Sequence, residues 1–248
     1  MKYKCIVSYD GSSYNGYQKQ KHDKNTIQET IENVLSYLFK EKITIYGSGR
    51  TDKHVHALAQ VFHFESSTKI PLSNLKKALN EMLPDDIKIN KVEKASDDFH
   101  ARYSSHQKIY LYKIKNSSKL NVFDDRYYAY VKEKIDVNIL KEASKLFIGQ
   151  HDFENFTTNK KDEVESFVKT IYDVKVTTNK NNINIEFYGS GFLRYQVRMM
   201  VGALLVVSTN KKDIDYIKHL LNKKTDEKCS YKASPNGLYL KKVIYWKE

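Results

Sequence analysis

Strand and helix periods follow one another in the same order in both halves of this 248-residue chain. In the first half, apolar residues alternate over 3–9, which predicts a strand with one buried face. A helix with one apolar face follows, capped by Thr26 with Glu29 three residues later. A strand at 42–46 comes next, then a helix that begins at Pro71 and ends at 83–84. Its inward side is expected to carry Leu72, Leu75, Leu79 and Met82.

Strands at 86–94 and 108–115 are predicted after that helix. The second half echoes this order, beginning with a helix capped by Asp136. Further strands at 169–177 and 183–188, separated by an Asn-rich turn, lead to a largely buried helix over 192–207. Asp213 caps a short helix, and a last strand covers 238–245. Two strand–helix–strand halves divided near residue 105 predict an α+β protein of two lobes with a cleft between them.

Composition indicates a globular protein with a polyanionic partner. Hydrophobic residues make up 40% of the chain and charged residues 29%, which is typical of a folded rather than a disordered chain. The 42 Lys and Arg exceed the 30 Asp and Glu by a net charge of +12, and most of that excess lies in the second half. Nucleic acid is the partner that such a charge favours. A Lys-rich surface without a binding role is the alternative, because net charge says little about specificity.

Cysteine and hydropathy patterns exclude several classes. The two cysteines, Cys5 and Cys229, are far apart and lack paired Cys or His spacing, which argues against a disulfide scaffold and a zinc site. The N-terminus does not resemble a signal peptide, and no apolar run reaches about 18 residues, so no membrane span is predicted. Cytoplasm is therefore the expected location.

The tetrapeptide Gly49-Arg50-Thr51-Asp52 is the strongest candidate for chemistry. Gly49 allows a tight turn or a close backbone approach to a ligand, and Asp52 then presents a carboxylate two residues from a guanidinium. Such an Asp is a candidate nucleophile or general base. A surface turn with a local Arg–Asp pair is the alternative for an isolated string of this kind.

This tetrapeptide resembles the catalytic signature of the TruA family of tRNA pseudouridine synthases, and four further blocks resemble the same family in the same order. The first is the opening segment 9–20, and the second covers 97–102 with 108–112. The others are Gly191-Phe192 with 197–202, and 234–240 near the end. These blocks extend from residue 9 to residue 240, so the resemblance covers essentially the whole chain.

The resemblance implies two similar lobes with mainly antiparallel sheets packed together, helices on the outer faces and a basic active-site cleft between the lobes. Residues 1–105 would form the lobe that carries the catalytic Asp, and 106–248 the lobe that completes the site. The implied activity is isomerisation of uridines 38, 39 and 40 of the tRNA anticodon arm to pseudouridine. The resemblance also implies a homodimer that needs no metal or nucleotide cofactor.

Three residues would carry this chemistry by resemblance. Asp52 acts at the sugar, either by attacking it or by taking a proton from it. Tyr110 stacks on the target uracil and accepts its C5 proton, although Tyr112 lies on the same strand face by period and only the surrounding block selects Tyr110. Arg198 is the expected partner of Asp52, since a guanidinium in an apolar stretch needs one; the alternative is that it snorkels to solvent.

Further residues are expected to contact RNA. Arg50 suits a contact to the RNA backbone or the opening of the stem around the target base. His100, Arg102 and Lys108 are expected to contact phosphates. Leu238 and Tyr239 are expected to form an apolar wall of the base pocket, with plain core packing as the alternative. The histidines do not predict a metal site, because His54 and His56 lack an acidic or Cys ligand at a convincing spacing.

Two positions depart from the family pattern. Lys53-His54 stands where the family usually has Ala-Gly after the catalytic Asp, and His is costlier than Gly in a left-handed conformation. Both side chains are expected to face the sugar-phosphate of the target nucleotide or its neighbour, with exposure to solvent as the alternative. Tyr17 replaces the usual Trp of the opening block. A synthase with another RNA target and a non-catalytic RNA-binding protein are the alternative functions.

Overall fold

The computed structural model describes residues 1–119, 121–222, 225 and 227–246. Its strands are β1 (Lys2–Tyr9), β2 (Tyr46–Gly47), β3 (His56–Glu65), β4 (Ile87–Lys94), β5 (Ser105–Asn116), β6 (Ala129–Val131), β7 (Gly149–Asp152), β8 (Val168–Asn179), β9 (Asn182–Gly189) and β10 (Leu238–Tyr245). Its helices are α1 (Ile27–Phe39), α2 (Leu72–Met82), α3 (Val137–Lys145), α4 (Gln196–Ser208) and α5 (Asp215–Leu221). Strand pairing is mostly antiparallel, which confirms the α+β class.

The chain divides into two compact units. The first comprises Met1–His106 and the C-terminal segment from Tyr239 onward, and the second comprises Gln107–Leu238. No helix within the described part of the chain is long and apolar enough to cross a membrane.

The first unit is built on strands in the order β4-β1-β3-β10, with β2 paired to β3. Strand β1 is antiparallel to both neighbours, and the register places Cys5 opposite Phe62 and Val92. The pairing of β10 with β3 is parallel, with Tyr239 opposite His56. Alternate residues of β1 are buried, as its period predicts.

The second unit is built on strands in the order β5-β9-β8-β7, with β6 parallel to β5. Helix α4 is buried on nearly every side and packs against α3 and α5. A helix that is apolar all round belongs in a core, and α4 is the central helix of this unit. Arg198 is the one charged residue on it.

Helix caps confirm the sequence interpretation. The Thr26 side chain accepts a hydrogen bond from the Glu29 backbone N–H, and the Asp136 side chain accepts from the N–H groups of Asn138 and Ile139. Asp213 accepts from the N–H of Tyr216, the second residue of α5, at 3.1 Å, although the cap residue itself is Ile214, which makes no side-chain cap bond. These bonds satisfy donors that the first helical turn leaves without intrahelical partners.

The predicted strand over 42–46 is wrong. Only Tyr46–Gly47 forms a strand there, although Ile43 and Ile45 are buried as their alternation predicts. Their N–H groups bond to side chains of α1 at 3.0 Å instead of to a neighbouring strand: Ile43 to Ser36 Oγ, and Ile45 to Glu32 Oε1. Alternating burial therefore arises here without a sheet ladder.

Two details of the predicted helices are also wrong. Met82, expected on the inward side of α2, is 40% exposed, because the next residue, Leu83, is buried in its place. The helix predicted over 192–207 begins at Gln196. Tyr195 has φ 61°, a left-handed conformation that no helical residue adopts, so it ends the preceding turn.

Candidate active site

Asp52 lies in the loop between β2 and β3. Thr51, directly before it, is buried, whereas the Asp52 carboxylate is half-exposed and the side chains of Arg50 and Lys53 point to solvent. The Val55 N–H donates to the Asp52 carbonyl at 3.1 Å, which closes a tight turn over 52–55. The loop thus presents its carboxylate at the surface of the first unit while its backbone is anchored.

The opening block holds this loop from one side. The Tyr9 and Thr51 hydroxyls share a hydrogen bond of 2.8 Å, and burial raises the pKa of Tyr9 well above its usual value, so Tyr9 stays neutral. The Tyr17 N–H donates to the Thr51 carbonyl at 3.0 Å. The residue before Asp52 is therefore bound through both its side chain and its backbone.

Two glycines let the opening block approach the loop this closely. A Cβ on Gly11 would lie 2.1 Å from the Val55 carbonyl oxygen, which no side chain allows. Gly16 has φ 99°, and a Cβ there would lie 3.0 Å from the Thr51 carbonyl oxygen. Close backbone contact and left-handed conformation are the two roles in which glycine cannot be replaced without strain.

Gln60 of β3 holds the loop from the other side. Its fully buried side chain accepts a hydrogen bond from Ser48 Oγ at 2.5 Å and donates to the Gly49 carbonyl at 2.9 Å. The Ser48 N–H also donates to the Val61 carbonyl at 2.7 Å. Both residues that precede Arg50 are thus fixed to the strand that follows Asp52.

His54 occupies a strained position two residues after Asp52. Its φ of 64° is left-handed, as expected where the family usually has Gly, and costs a non-glycine residue about 1 kcal/mol or more. Nδ1 of the ring lies 2.6 Å from the Ser12 carbonyl oxygen. A carbonyl only accepts, so Nδ1 carries the proton and the ring is tied to the opening block.

His56, at the start of β3, is buried beneath Tyr239. The two rings stack at 4.6 Å between centroids and 21° between planes. Nδ1 of His56 lies 3.1 Å from both the Gly11 nitrogen and Asp10 Oδ1. A neutral ring accepts from Gly11, whereas a protonated ring pairs with Asp10, so protonation decides which contact is made.

His100 and Arg102 lie on a loop beside His63. The His63 ring contacts the His100 ring at 4.7 Å, and its Nδ1 accepts from the Ala101 N–H at 3.1 Å. Burial lowers the pKa of His63 to about 4, with the charges of His100 and Lys2 acting in the same direction. Burial also lowers the pKa of His100, whose Nδ1 accepts from the Arg102 N–H at 3.1 Å. Both imidazoles are therefore neutral at physiological pH.

In the second unit, Tyr110 and Tyr112 differ in their contacts. Tyr110 is buried on β5 and packs edge-on against Phe192, with ring centroids 5.0 Å apart. Tyr112 is fully buried, and its hydroxyl donates to the Ser234 carbonyl at 2.8 Å. Tyr112 is thus committed to holding the 234–237 turn. Lys108 lies on the same strand opposite Gly189, with its side chain half-exposed.

Arg198 is held at the start of α4 by backbone and ring contacts. Its Nε donates to the Ala233 carbonyl at 2.8 Å, and the Ala233 N–H donates back to the Arg198 carbonyl at 3.0 Å. Its guanidinium lies 5.3 Å from the centroid of the Tyr195 ring. Arg198 is 8% exposed, so it does not snorkel to solvent.

Two further cations lie close to the Tyr195 ring. Arg194 lies 5.1 Å and Lys232 4.4 Å from the same ring centroid. The turn before α4 is fixed by Thr157 Oγ1, which donates to the Arg194 carbonyl at 2.8 Å, and by Asn159 Oδ1, which accepts from the Arg194 N–H at 2.9 Å. This concentration of positive charge around one ring suits an anionic ligand.

Leu238 and Tyr239, the two residues expected to line a base pocket, fall on either side of the division into units. Leu238 is buried and directly follows the short 3-10 turn Pro235–Gly237. Its N–H donates to the Pro235 carbonyl. Tyr239 is buried on His56 of the first unit. The described residues contain no group of three or more His, Cys, Asp or Glu side chains placed to hold a metal ion.

Several residues that build the site do not appear among the sequence candidates. Gln60, Tyr9 and Tyr195 act through hydrogen bonds and ring contacts rather than through a motif of their own. Gln60 was visible as a lone amide in the otherwise apolar run of β3, which is the signal of a buried polar group with partners. The left-handed conformation of Tyr195 leaves no mark in the sequence.

Comparison with known proteins finds relatives that match nearly the whole chain. The family model described as tRNA pseudouridine synthase matches residues 5–104 and 143–246. The chain is 41% identical over 243 residues to tRNA pseudouridine synthase A 2 of Bacillus cereus, covering 98% of this chain and 99% of that protein. It is 42% identical to tRNA pseudouridine synthase A of Oceanobacillus iheyensis over 98% of this chain and 96% of the relative. The corresponding protein of Phytoplasma mali is 40% identical, with 98% of each chain covered. The chain belongs to the tRNA pseudouridine synthase family.

Proposed function

We propose that this protein isomerises uridines 38, 39 and 40 of the tRNA anticodon arm to pseudouridine, with Asp52 as the catalytic carboxylate. The observation that carries the proposal is the anchoring of the Asp52 loop. Thr51 is bound by Tyr9 and Tyr17, and Ser48 and Gly49 are bound by Gln60. A reacting carboxylate must be held in a narrow range of positions, and this loop is fixed before Asp52 by these bonds and after it by the bond from His54 to the Ser12 carbonyl.

The reaction needs few groups. The bond between C1′ of the ribose and N1 of the uracil breaks, the base turns, C1′ bonds to C5, the C5 proton leaves, and N1 takes up a proton. Atoms balance without an oxidant, a reductant or a phosphoryl donor. Asp52 acts at the sugar, Tyr110 stacks on the uracil and takes up the C5 proton, and a base turned out of its stack gives them access.

Arg198 supplies the cation of the site in this proposal. A half-exposed or buried carboxylate stays ionised beside a guanidinium, and the resemblance implies that Arg198 faces Asp52. Support comes from its own surroundings. The contacts to Ala233 and Tyr195 hold the guanidinium in one orientation, as a planar two-pronged contact requires.

In this proposal each half of the chain contributes different catalytic residues. Residues 1–105 would form the lobe that contributes Asp52, and residues 106–248 the lobe that contributes Tyr110 and Arg198. A basic cleft between similar lobes, with Leu238 and Tyr239 as an apolar wall of the base pocket, completes the proposal. The two lobes, the cleft and the homodimer rest on the family resemblance. A cytoplasmic location is also part of the proposal.

RNA contacts are proposed for the exposed cations around the loop and for the His100 loop. Arg50 and Lys53 are exposed on either side of Thr51-Asp52, and Arg102 is exposed beside His100. Lys108 on β5 adds a further phosphate contact. His54 is held against Ser12, so its Nε2 rather than Nδ1 would meet the RNA.

A different RNA target is the second candidate, and one observation favours it. The His54 side chain and its bond to the Ser12 carbonyl, which Gly could not make, distinguish the loop after Asp52 from the usual Ala-Gly sequence. Replacing Lys53-His54 by Ala-Gly should leave the chemistry intact, weaken tRNA binding and reduce its salt slope by about one ion. A shift of modification among neighbouring uridines would assign target choice to this pair.

The proposed function is tested with purified protein and tRNA transcripts in which uridine 38, 39 or 40 is replaced by cytidine. Release of the C5 proton from labelled uridine and chemical mapping of pseudouridine measure the products. The proposal expects each replacement to remove product at its own position only. Modification at positions outside the anticodon arm, with none at 38–40, would assign the enzyme another RNA target.

A further inference from the structure

Two exposed aromatic rings lie on histidines of one short segment in the first unit. Tyr103 packs on His100 with ring centroids 4.4 Å apart and 33° between planes, and Trp246 stacks on His106 at 4.0 Å and 19°. Tyr103 is 76% exposed and Trp246 is 74% exposed. Each large ring therefore has one face supported by an imidazole and much of its surface in water. We call Tyr103, His100, Trp246 and His106 the ring surface.

The backbone that carries the ring surface is closely bonded. The Ser104 N–H donates to the His100 carbonyl at 2.9 Å, and the His100 N–H donates to Ser104 Oγ at 3.0 Å. Nδ1 of His100 accepts from the N–H groups of Arg102 and Tyr103. The supporting ring of His100 is thus fixed and neutral, so Tyr103 is presented without a large loss of conformational freedom on binding.

Trp246 is anchored through the residue before it. The Tyr245 hydroxyl donates to the Ala101 carbonyl at 2.7 Å, and its ring packs on Phe99 at 5.2 Å. Both ring pairs therefore attach to the segment 99–106. Because Tyr103 and His106 are three residues apart, their Cα atoms lie within about 11 Å of each other. A strand of two or three nucleotides can span the two rings.

Cations accompany the ring surface. The Arg102 guanidinium lies 5.7 Å from the Tyr103 ring centroid. Lys4 lies 5.1 Å from the Phe99 ring and 4.7 Å from the Tyr245 ring. Acidic Asp97 and Asp98 are exposed at the start of the same loop, and Lys2 donates to the Asp97 backbone. Exposed rings next to cations are the combination that binds unpaired nucleobases and their phosphates.

We propose that the ring surface binds unpaired nucleobases of the RNA substrate by stacking on Tyr103 and Trp246, at a site separate from the target uracil. The proposal rests on the proposed function for the identity of the RNA. Every base has a stackable face, so this contact adds affinity without reading sequence. It would serve single-stranded loop or end nucleotides, since bases inside a duplex cannot reach the rings.

Trp246 is the only tryptophan of the chain, so its fluorescence reports on this surface directly. The wild-type protein is titrated with a short single-stranded oligoribonucleotide and, separately, with a duplex of the same length. The proposal expects saturable quenching by the single strand and little by the duplex. Trp246→Leu and Tyr103→Leu should each weaken single-strand binding about 5- to 100-fold, measured by labelled-RNA anisotropy.

Matched variants separate stacking from general surface changes. Trp246→Phe and Tyr103→Phe keep a ring and should bind within about threefold of wild type. Tyr37→Leu removes an equally exposed tyrosine, 74% exposed on α1, and should bind RNA as wild type does. Circular dichroism of each variant checks that the fold is retained.

Unchanged fluorescence with the single strand, and unchanged affinity in both Leu variants, would overturn the proposal. Reduced self-association of the Leu variants with unaltered RNA binding would also overturn it, and would make the ring surface an interface between copies of the chain. Pseudouridine formation by wild-type protein is measured in parallel. If the wild-type protein forms pseudouridine and either negative result is found, RNA binding by the ring surface is refuted while the proposed function stands. If the wild-type protein forms no pseudouridine, the proposed function is refuted.

Discussion

Single residues outside the Gly-Arg-Thr-Asp motif hold the Asp52 loop in place. Gln60 bonds to Ser48 and Gly49, and Tyr9 bonds to Thr51. The motif predicts Asp52 as the reacting carboxylate, because its residue types suit the reaction. It could not predict the supporting bonds, since they join positions up to 42 residues apart and depend on the sheet register.

The Gln60 amide gives a first prediction. Gln60→Met keeps the volume but removes two hydrogen bonds, the one accepted from Ser48 Oγ and the one donated to the Gly49 carbonyl. We expect a loss of about 1–3 kcal/mol in the free energy of unfolding and a larger loss of turnover than of tRNA affinity. Urea unfolding and steady-state kinetics measure both effects. Gln150→Met, at an exposed position of β7, is the control, and equal effects of the two variants would refute a role for Gln60.

Arg198 gives a second prediction. Arg198→Lys keeps the charge but loses the bond from Nε to the Ala233 carbonyl and the planar contact with Tyr195. We expect kcat to fall about 10²-fold or more with little change in tRNA affinity. The pairing with Asp52 that the resemblance implies should also move the acid limb of the pH–rate profile to higher pH. Arg194→Lys, next to the same ring, is the control, and an equal kcat for both variants would contradict the assignment.

His63 gives a prediction about pH. Its pKa of about 4 in the folded protein lies below the ordinary value of 6.5, so the unfolded chain binds a proton more readily. Stability contributed by neutral His63 is therefore complete above about pH 6.5 and is lost as the pH falls towards 4. Urea unfolding at several pH values between 7 and 4 gives the free energy of unfolding at each pH. That free energy should fall less with decreasing pH for His63→Gln than for wild type. For His22→Gln, at an exposed position, it should fall as it does for wild type.

At the scale of helices and strands, local sequence patterns predicted an element correctly where its backbone hydrogen bonds follow that pattern. The caps at Thr26 and Asp136 and the strand β10 agree with their sequence patterns. The strand prediction at 42–46 was wrong because the N–H groups of Ile43 and Ile45 bond to side chains of α1. Alternating hydrophobicity does not indicate such tertiary hydrogen bonds. The predicted start of α4 was also wrong, because Tyr195 has a left-handed φ of 61° that the apolar pattern does not indicate.

Helix α4 depends on a close approach at Gly202, which gives an element-scale prediction. A Cβ on Gly202 would lie 2.4 Å from the Tyr231 carbonyl oxygen, so Gly202→Ala must push α4 away from the 231–233 segment that binds Arg198. The better helix propensity of Ala offsets only part of this strain. We expect destabilisation by about 1–3 kcal/mol.

Gly191→Ala is the matched control, because a Cβ there meets no atom within 4 Å. It should change the free energy of unfolding by less than about 0.5 kcal/mol. Thermal or urea unfolding of the two variants makes the comparison. Equal stability of both would show that the helix and the segment can separate without cost.

At the scale of the whole molecule, net charge and family membership agree on a polyanionic substrate. The charge of +12 predicts tRNA binding that weakens steeply as salt rises, since released counterions supply much of the affinity. The family match covers 5–104 and 143–246, which include Asp52 and Arg198. We therefore expect charge to supply much of the binding, and we propose that a few fixed side chains carry the reaction.

The most direct measurement of the central claim compares Asp52→Asn with wild type in tRNA binding and in single-turnover pseudouridine formation. Asn keeps the size of the side chain but cannot act as a nucleophile or base. The account predicts tRNA affinity within about threefold of wild type, because phosphate contacts supply most of it, and a loss of product formation of about 10³-fold or more. Asp85→Asn, at an exposed turn, should behave as wild type. Product formation by Asp52→Asn near the wild-type rate would contradict the account.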